Sequence, residues 1–497
     1  MTTTPNAHVA ATLALHLQRV PLRFVQAVQQ LLTVPNPERE QLVRAGLSGG
    51  HLPATLALWE QRGDWLHVPR GAVKRVRQQA ALHGAELTWG SAVVSRAVQR
   101  VPLADLPVQL RAYQRDAVEA MLFGVQGHVV APCGAGKTVI ACSALAASGE
   151  PGLVLVHTHD LLEQWVRLLR GWGYRVRAVV GGQARLGPLG VYATGPELCV
   201  AMVQTLSRAG AAADPLLASA GAVVLDECHH APASTFRELL DRVPARHRWG
   251  VTATPERGDG LTGMLELALG EQLYEITTQQ LLAGGYLMQP AILPVFSATQ
   301  VDLQRCTSAS GQLVISRAVQ QLVDDPERHQ LLLQLATVAA QAGRTTLLLV
   351  PRVEQAQVLA QHLRARGVLA ADATSATGKV QRVAQLRQLR ARQLQVLVAT
   401  QLADEGLDVP ALDCLVVAST GRAAGRAVQR IGRVMRVADE KVQPVVVDIV
   451  DGTPFRGQWR AREQAYREAL GLQVPPPVAR AHAVDALRRV LWVRPQE

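Results

Sequence analysis

His128-Val-Val-Ala-Pro-Cys-Gly-Ala-Gly-Lys-Thr138 is the stretch on which the reading of this chain turns. It opens on a short apolar run with strand character, and the residues after Thr138, Val-Ile-Ala-Cys-Ser-Ala-Leu-Ala-Ala-Ser, carry a helical pattern. Between the two lies Ala131-Pro-Cys-Gly-Ala-Gly-Lys-Thr138, so strand, glycine-rich loop and helix follow in the order that a phosphate-cradling loop requires. Gly134 and Gly136 let backbone N–H groups turn toward phosphate oxygens, and the helix N-terminus adds positive potential. Lys137 is placed to reach the β- and γ-phosphates of ATP and Thr138 to ligate Mg²⁺, with Pro132, Cys133, Gly134, Ala135 and Gly136 forming the cradle. Ala131 stands where the general pattern has its first glycine. The bland alternative is a glycine-rich turn without function. Against it stands the scarcity of lysine, which occurs only at Lys74, Lys137, Lys379 and Lys441 among 51 basic residues.

Downstream, Ala222-Val-Val-Leu-Asp-Glu-Cys-His-His230 sets two carboxylates at the end of a buried strand, which is how a parallel sheet delivers acids to its carboxyl edge. Asp226 is expected to hold Mg²⁺, directly or through water, and Glu227 to orient and deprotonate an attacking water. Alone, two adjacent acids could equally be a solvated turn; roughly ninety residues after a phosphate loop they read as the second half of an ATP site. His229 and His230 suggest a metal site only superficially, because no third ligand lies at zinc spacing.

Around these motifs, 497 residues predict several domains, and 48% hydrophobic with 18% charged residues is a globular composition. Four segments emerge. Residues 1–100 mix helical and strand-like pieces, with a helical reading up to Pro21 and a strand at Trp65-Leu-His-Val68. Residues 101–284 and 285–455 each alternate apolar runs with helical patterns, which predicts two tandem α/β lobes with parallel sheets. Residues 456–497 form an Arg-rich helical tail broken at Pro475-Pro-Pro477, whose Arg460, Arg462 and Arg467 read either as a phosphate-binding face or as a solvated one. No apolar run approaches the roughly 18–20 residues of a membrane span, and the N-terminus lacks the pattern of a secretory signal, so a cytoplasmic protein without a membrane partner is expected. A net charge of +11 favours a polyanionic partner.

The ordered motifs resemble those of superfamily 2 helicases, because Asp226-Glu-Cys-His229 is a DExH box. Leu110-Arg-Ala-Tyr-Gln114 resembles the Q motif, which implies nucleotide contacts by Arg111 and adenine contacts by Gln114. Val398-Ala-Thr-Gln-Leu-Ala-Asp-Glu-Gly-Leu-Asp-Val-Pro410 resembles motif V, implying ATP contacts by Gly406 and Asp408. Gln429-Arg-Ile-Gly-Arg-Val-Met-Arg436 resembles motif VI, which gives Gln429 a catalytic role and makes Arg433 and Arg436 fingers on the γ-phosphate. Thr252-Ala-Thr254 resembles the segment coupling hydrolysis to movement. Segments around Thr158, Gln164, Gln204, Thr205 and Thr400 resemble those that touch the nucleic-acid strand. The resemblance spans roughly residues 105–455, implies two RecA-like lobes each carrying half of an ATP site, and leans toward XPB-like and phage UvsW-like members.

A motor on DNA is therefore expected, with DNA preferred over RNA as the track and low sequence specificity. An RNA-remodelling ATPase and a nucleic-acid-sensing switch subunit in repair or phage defence are the alternatives, and a nuclease or repair protein is a candidate partner. With aromatics at 4% of residues, extensive base stacking is not expected. Trp165 and Trp249 read as core residues or, less readily, as a strand-separating wedge. The first hundred residues read either as a DNA-binding module or as a cap packed on the motor.

Overall fold

The computed structural model describes residues 12–16, 20–44, 48, 50–87, 100–181, 185–192, 195–230, 234–253, 262–308, 311–400, 409–418, 430–438 and 441–492. They divide into two compact units, one of Met1–Ala131 with Ala135–Ile276, the other of Thr277–Glu497 with Pro132–Gly134.

The first unit begins with a small α/β module: β1 (Thr12–His16), α1 (Leu22–Leu31), β2 (Thr33–Pro35), β3 (Thr55–Ala57), β4 (Glu60–Arg62), β5 (Trp65–Pro69) and α2 (Val73–His83). The helical reading up to Pro21 is corrected here, because residues 12–16 are a strand. Their antiparallel partner is β5, in the register Leu13↔Val68 and Leu15↔Leu66, and β4 adds the third strand. A partner some fifty residues away overrides a weak local preference. The module does not close its core alone. Phe24, Val28, Leu66, Val68 and Val76 share one apolar cluster with Met264 and Leu267, which lie on α7 (Thr262–Leu269) of the motor lobe.

That lobe comprises α3 (Ala112–Gly124), β6 (Gln126–Val130), α4 (Lys137–Ser148), β7 (Gly152–Val156), α5 (His159–Gly171), β8 (Val176–Val179), β9 (Leu198–Met202), α6 (Val203–Ala209), β10 (Ala222–Asp226), β11 (His247–Thr252), α7 and β12 (Gln272–Glu275). Its seven strands are all parallel, in the order β12-β6-β11-β10-β7-β9-β8. The central strands are buried along their whole length, which is why they appear in the sequence as unbroken apolar runs. With every strand running the same way, the loop after β6 and the acids ending β10 emerge at one carboxyl edge, two strands apart.

The second unit repeats the plan. Strands β13 (Ala291–Phe296), β14 (Thr346–Leu349), β15 (Ala370–Ala373), β16 (Val396–Ala399), β17 (Cys414–Val417) and β18 (Val445–Val450) form a parallel sheet in the order β13-β18-β17-β14-β16-β15. Helices α8 (Pro326–Gln341), α9 (Val353–Ala365) and α10 (Lys379–Arg390) connect them. Both lobes are RecA-like. The C-terminal helices α11 (Arg456–Glu468) and α12 (Ala483–Leu491) pack on this sheet, with Ala483, Leu487 and Leu491 inside its core.

That packing corrects one reading of the tail. Arg462 is neither a phosphate-binding nor a solvated residue. It is 5% exposed and forms a bidentate pair with Asp448 of β18, at 2.9 and 2.7 Å, while the Tyr466 hydroxyl donates to the same carboxylate at 2.6 Å. Arg460 and Arg467 remain on the exposed face.

Candidate ATP site

The loop between β6 and α4 turns at Gly134 (φ +93°) and Gly136 (φ +82°), left-handed conformations that a side chain would strain. A Cβ at Gly136 would also meet the Gln114 amide nitrogen. Gln114 is buried at the start of α3 with both ends of its amide engaged. Its oxygen accepts the Arg111 backbone N–H at 3.1 Å, and its nitrogen donates to the Ala135 carbonyl at 3.0 Å. The Tyr113 hydroxyl donates to the same carbonyl at 3.2 Å. The Q-motif segment thus braces the phosphate loop from beneath, and Arg111 sits exposed beside it, donating to the Tyr113 hydroxyl.

Lys137 opens α4 and folds its ammonium back across the loop to the Ala131 carbonyl at 3.3 Å, 4.0 Å from the Glu227 carboxylate. Thr138 follows in the first helical turn, and Gln164 of α5 donates to its hydroxyl at 3.4 Å. Across the edge, Asp226 ends β10 fully buried, and Glu227 takes a positive φ of +50°. For a non-glycine residue that is a strained conformation, of the kind kept at working sites.

The two carboxylates differ in electrostatic setting. Burial, and then the negative charge of Glu227, push the Asp226 carboxyl above its ordinary range. Burial also opposes ionisation of Glu227, but Lys137 and then His229 outweigh it and hold that carboxyl low. Glu227 is thus the committed anion. A buried carboxylate at the end of β10 and a hydroxyl in the first turn of α4, both at the carboxyl edge of the sheet, are oxygen donors of the kind a hard dication favours. Asp226 and Thr138 therefore fit Mg²⁺, as the left-handed glycine cradle and Lys137 fit the phosphates of ATP.

Two contacts give residues roles that sequence reasoning missed. Trp165 of α5 is fully buried and donates its indole N–H to Asp226 at 2.7 Å, which fixes that carboxylate. Nothing in the sequence pairs positions 165 and 226. His229 lies 3.0 Å from the Thr252 hydroxyl and 3.3 Å from Glu227, so its ring bridges the acidic box to the end of β11. Both contacts are made by the same ring nitrogen, Nδ1. The wedge reading of the tryptophans also falls away, since Trp249 is buried too and donates to the Met121 carbonyl at 2.8 Å.

In the second unit, residues 430–434 form a helical turn that carries Arg433, and Arg436 follows in a bridge with Leu287. Thr254, Gly406, Asp408 and Gln429 lie outside the described residues.

Two family models match this chain in series. Residues 107–257 match the res subunit of type III restriction enzymes, and residues 327–438 match the helicase conserved C-terminal domain. The two matches, together with relatives named XPB, support a superfamily 2 DExH helicase of the XPB-like branch. A helicase of a Sulfolobus islandicus filamentous virus is 30% identical over 47% of this chain and 43% of its own length. The DNA 3'-5' translocase XPB2 of Sulfurisphaera tokodaii is 26% identical over 73% of this chain and 86% of its own. Among solved structures, the ATP-dependent Type ISP restriction-modification enzyme LlaBIII bound to DNA shares the fold, with a TM-score of 0.53 at 16% identity over 73% of this chain and 30% of that one. The chain thus spans less than half of its viral relative and most of its archaeal one.

The strand-contact candidates fall into two groups. Thr158 caps α5 by accepting the Leu161 N–H at 3.4 Å, Gln204 of α6 is exposed and donates to the His157 carbonyl at 3.2 Å, and the Thr205 hydroxyl accepts the Gly181 N–H at 3.3 Å. With exposed Gln164 they follow the ends of β7 and β9, on the edge that carries the ATP loop. Thr400, just after β16, is buried instead. No helix among the described residues is long and apolar enough to cross a membrane.

Proposed function

We propose that this protein is an ATP-dependent DNA translocase or helicase that hydrolyses ATP with Mg²⁺ while moving on or remodelling DNA of any sequence. The observation that carries the reading is the pairing of Lys137 with a strained, ionised Glu227 next to buried Asp226, at the sheet edge that also bears Thr158, Gln204 and Thr205. In this reading Lys137 exchanges Glu227 for the γ-phosphate, and Glu227 orients and deprotonates the attacking water. Thr138 and Asp226 would hold Mg²⁺, which would supply charge neutralisation on the phosphates. Arg433 and Arg436 complete the charge stabilisation at the γ-phosphate. His229 passes the state of Glu227 to Thr252, and Thr254 continues that segment. DNA is favoured over RNA as the track because XPB-like relatives are named for DNA. A cytoplasmic setting and a partner nuclease or repair protein belong to the same proposal.

The test is ATP hydrolysis without nucleic acid, with single-stranded DNA, with duplex or forked DNA, and with single-stranded RNA. DNA should stimulate turnover most, and Lys137→Ala and Glu227→Gln should each lower it at least about a hundredfold, the range for removing positioned charge and base. Preference for RNA would replace the DNA track, and equal turnover without nucleic acid would replace the motor with a switch.

A further inference from the structure

The chain has four lysines among 51 basic residues, and one of them is buried in the second unit. Lys441 is 8% exposed, and its ammonium donates to three backbone carbonyls: Val434 at 2.6 Å, Arg436 at 2.6 Å and Pro410 at 3.1 Å. A buried ammonium must place its three protons on acceptors, and here all three go to main chain rather than to a carboxylate. Burial lowers its pKa to about 8, with Asp413 opposing the fall and Arg436 and Arg392 adding to it, so the charge is carried at neutral pH.

The identity of the three acceptors matters more than their number. Val434 ends the helical turn that carries Arg433, and its carbonyl belongs to a helix terminus where carbonyls lack intrahelical partners. Arg436 is itself a finger candidate. Pro410 closes the motif V segment. One point charge thus gathers the carbonyls on both sides of Met435, and the Met435 carbonyl accepts the Met288 N–H at 2.7 Å. Lys441 therefore fixes where the main chain between Arg433 and Arg436 runs, and ties it to the end of motif V.

We infer that Lys441 is a positioning residue for γ-phosphate hydrolysis, holding the backbone from which Arg433 and Arg436 project and coupling it to the motif V segment at Pro410. The inference rests on the proposed ATPase function and on the finger role of those arginines. Methionine has a similar length but no donor, so it leaves three carbonyls without their cation. Arginine keeps the charge, but its planar fork cannot converge on three carbonyls as an ammonium does.

The experiment measures DNA-stimulated kcat, KM for ATP, ADP affinity and thermal melting for the full-length wild type, K441M, K441R, R436A and the R436A/K441M double variant. K441M should lower kcat at least about tenfold, while ADP affinity, which needs no γ-phosphate contact, stays within about twofold; K441R should fall between K441M and wild type. In the R436A background, K441M should cause a smaller loss of kcat than in the wild type, because the part of its effect that runs through Arg436 is already gone. Wild-type kcat in K441M, or losses that add in the double variant and extend to ADP affinity, would overturn the inference and leave Lys441 a purely structural cap. If K441M does not fold, K441R carries the test: a lower kcat with unchanged ADP affinity supports the role, and wild-type kcat refutes it. Absence of nucleic-acid-stimulated turnover in the wild type would instead defeat the functional reading. Unchanged turnover in R436A would defeat the finger assignment, and this inference with it.

Discussion

At the scale of single residues, the site depends on groups whose job is to hold others. Trp165 supplies an N–H to Asp226 inside the protein, where a hydrogen bond to a charged group contributes about 1.5–3 kcal/mol. Trp165→Phe keeps most of the packing and removes the donor. Its expected result is a drop in kcat of about tenfold and a several-fold higher Mg²⁺ concentration for half-maximal rate, since a carboxylate free to rotate holds the ion less well. An Mg²⁺ titration with the wild-type midpoint would show that the indole only fills space. Arg462 is the counterpart in the second unit. Removing it leaves Asp448 buried without its cation, and breaking such a pair typically costs about 3–5 kcal/mol, so Arg462→Met should lower the melting temperature by several degrees. An unchanged melting curve would mean that Tyr466 and water satisfy the carboxylate alone.

Among elements, the seam between α2 and α7 is where a small module becomes part of a motor lobe. Gly71 sits so close to α7 that a Cβ would overlap the carbonyls of Glu266 and Leu267. Arg70 donates to the carbonyls of Ala245 at 2.5 Å and Arg246 at 2.6 Å, and Arg75 pairs with Glu266. Gly71→Ala should therefore destabilise by about 1–3 kcal/mol through overpacking against backbone that cannot yield, read as a lower melting temperature. Strand β11 holds a second sensitivity. His247 stacks on Trp249 with ring centroids 4.6 Å apart, and burial first, then Arg246, Arg100 and Arg70, lower its pKa to about 4. The unfolded chain takes up a proton near pH 6.5, which the folded protein refuses until about pH 4. His247 thus contributes stability above about pH 6.5 that is lost as pH falls toward 4, up to roughly 3 kcal/mol at about 1.4 per unit. His247→Phe should flatten the fall in melting temperature between pH 7 and 5, and an unchanged slope would assign it elsewhere. These elements also mark how far the sequence could be read. Strands buried on both faces, such as β7 and β10, stand out as apolar runs beside recognisable loops, so both lobes and Lys137, Asp226 and Glu227 were legible. Residues 12–16 read as helix in the sequence, Arg462 reads as a surface residue, and the contacts of Trp165 and His229 leave no trace in it. Each of these depends on a partner that only the tertiary fold supplies.

For the whole molecule, the excess of positive charge makes a prediction that no single contact makes. The net charge is +11, carried almost wholly by arginine, while aromatic residues are few. A grip built from phosphate contacts, without stacking, releases one set of counterions per neutralised phosphate, and on single strands the slope of log K against log salt is about −0.7 for each. With about four to six phosphates held, the slope should lie near −3 to −4, and affinity for thymine-only and mixed-sequence strands should agree within about threefold. Fluorescence anisotropy across a salt series measures both quantities at once, without ATP and then with a non-hydrolysable analogue. A slope shallower than about −1 would mean that the charge serves solubility or another partner and that the strand is held by uncharged groups. A strong base preference with a shallow slope would move the grip from the phosphates to the bases, and with it the expectation that the motor is indifferent to what it travels along.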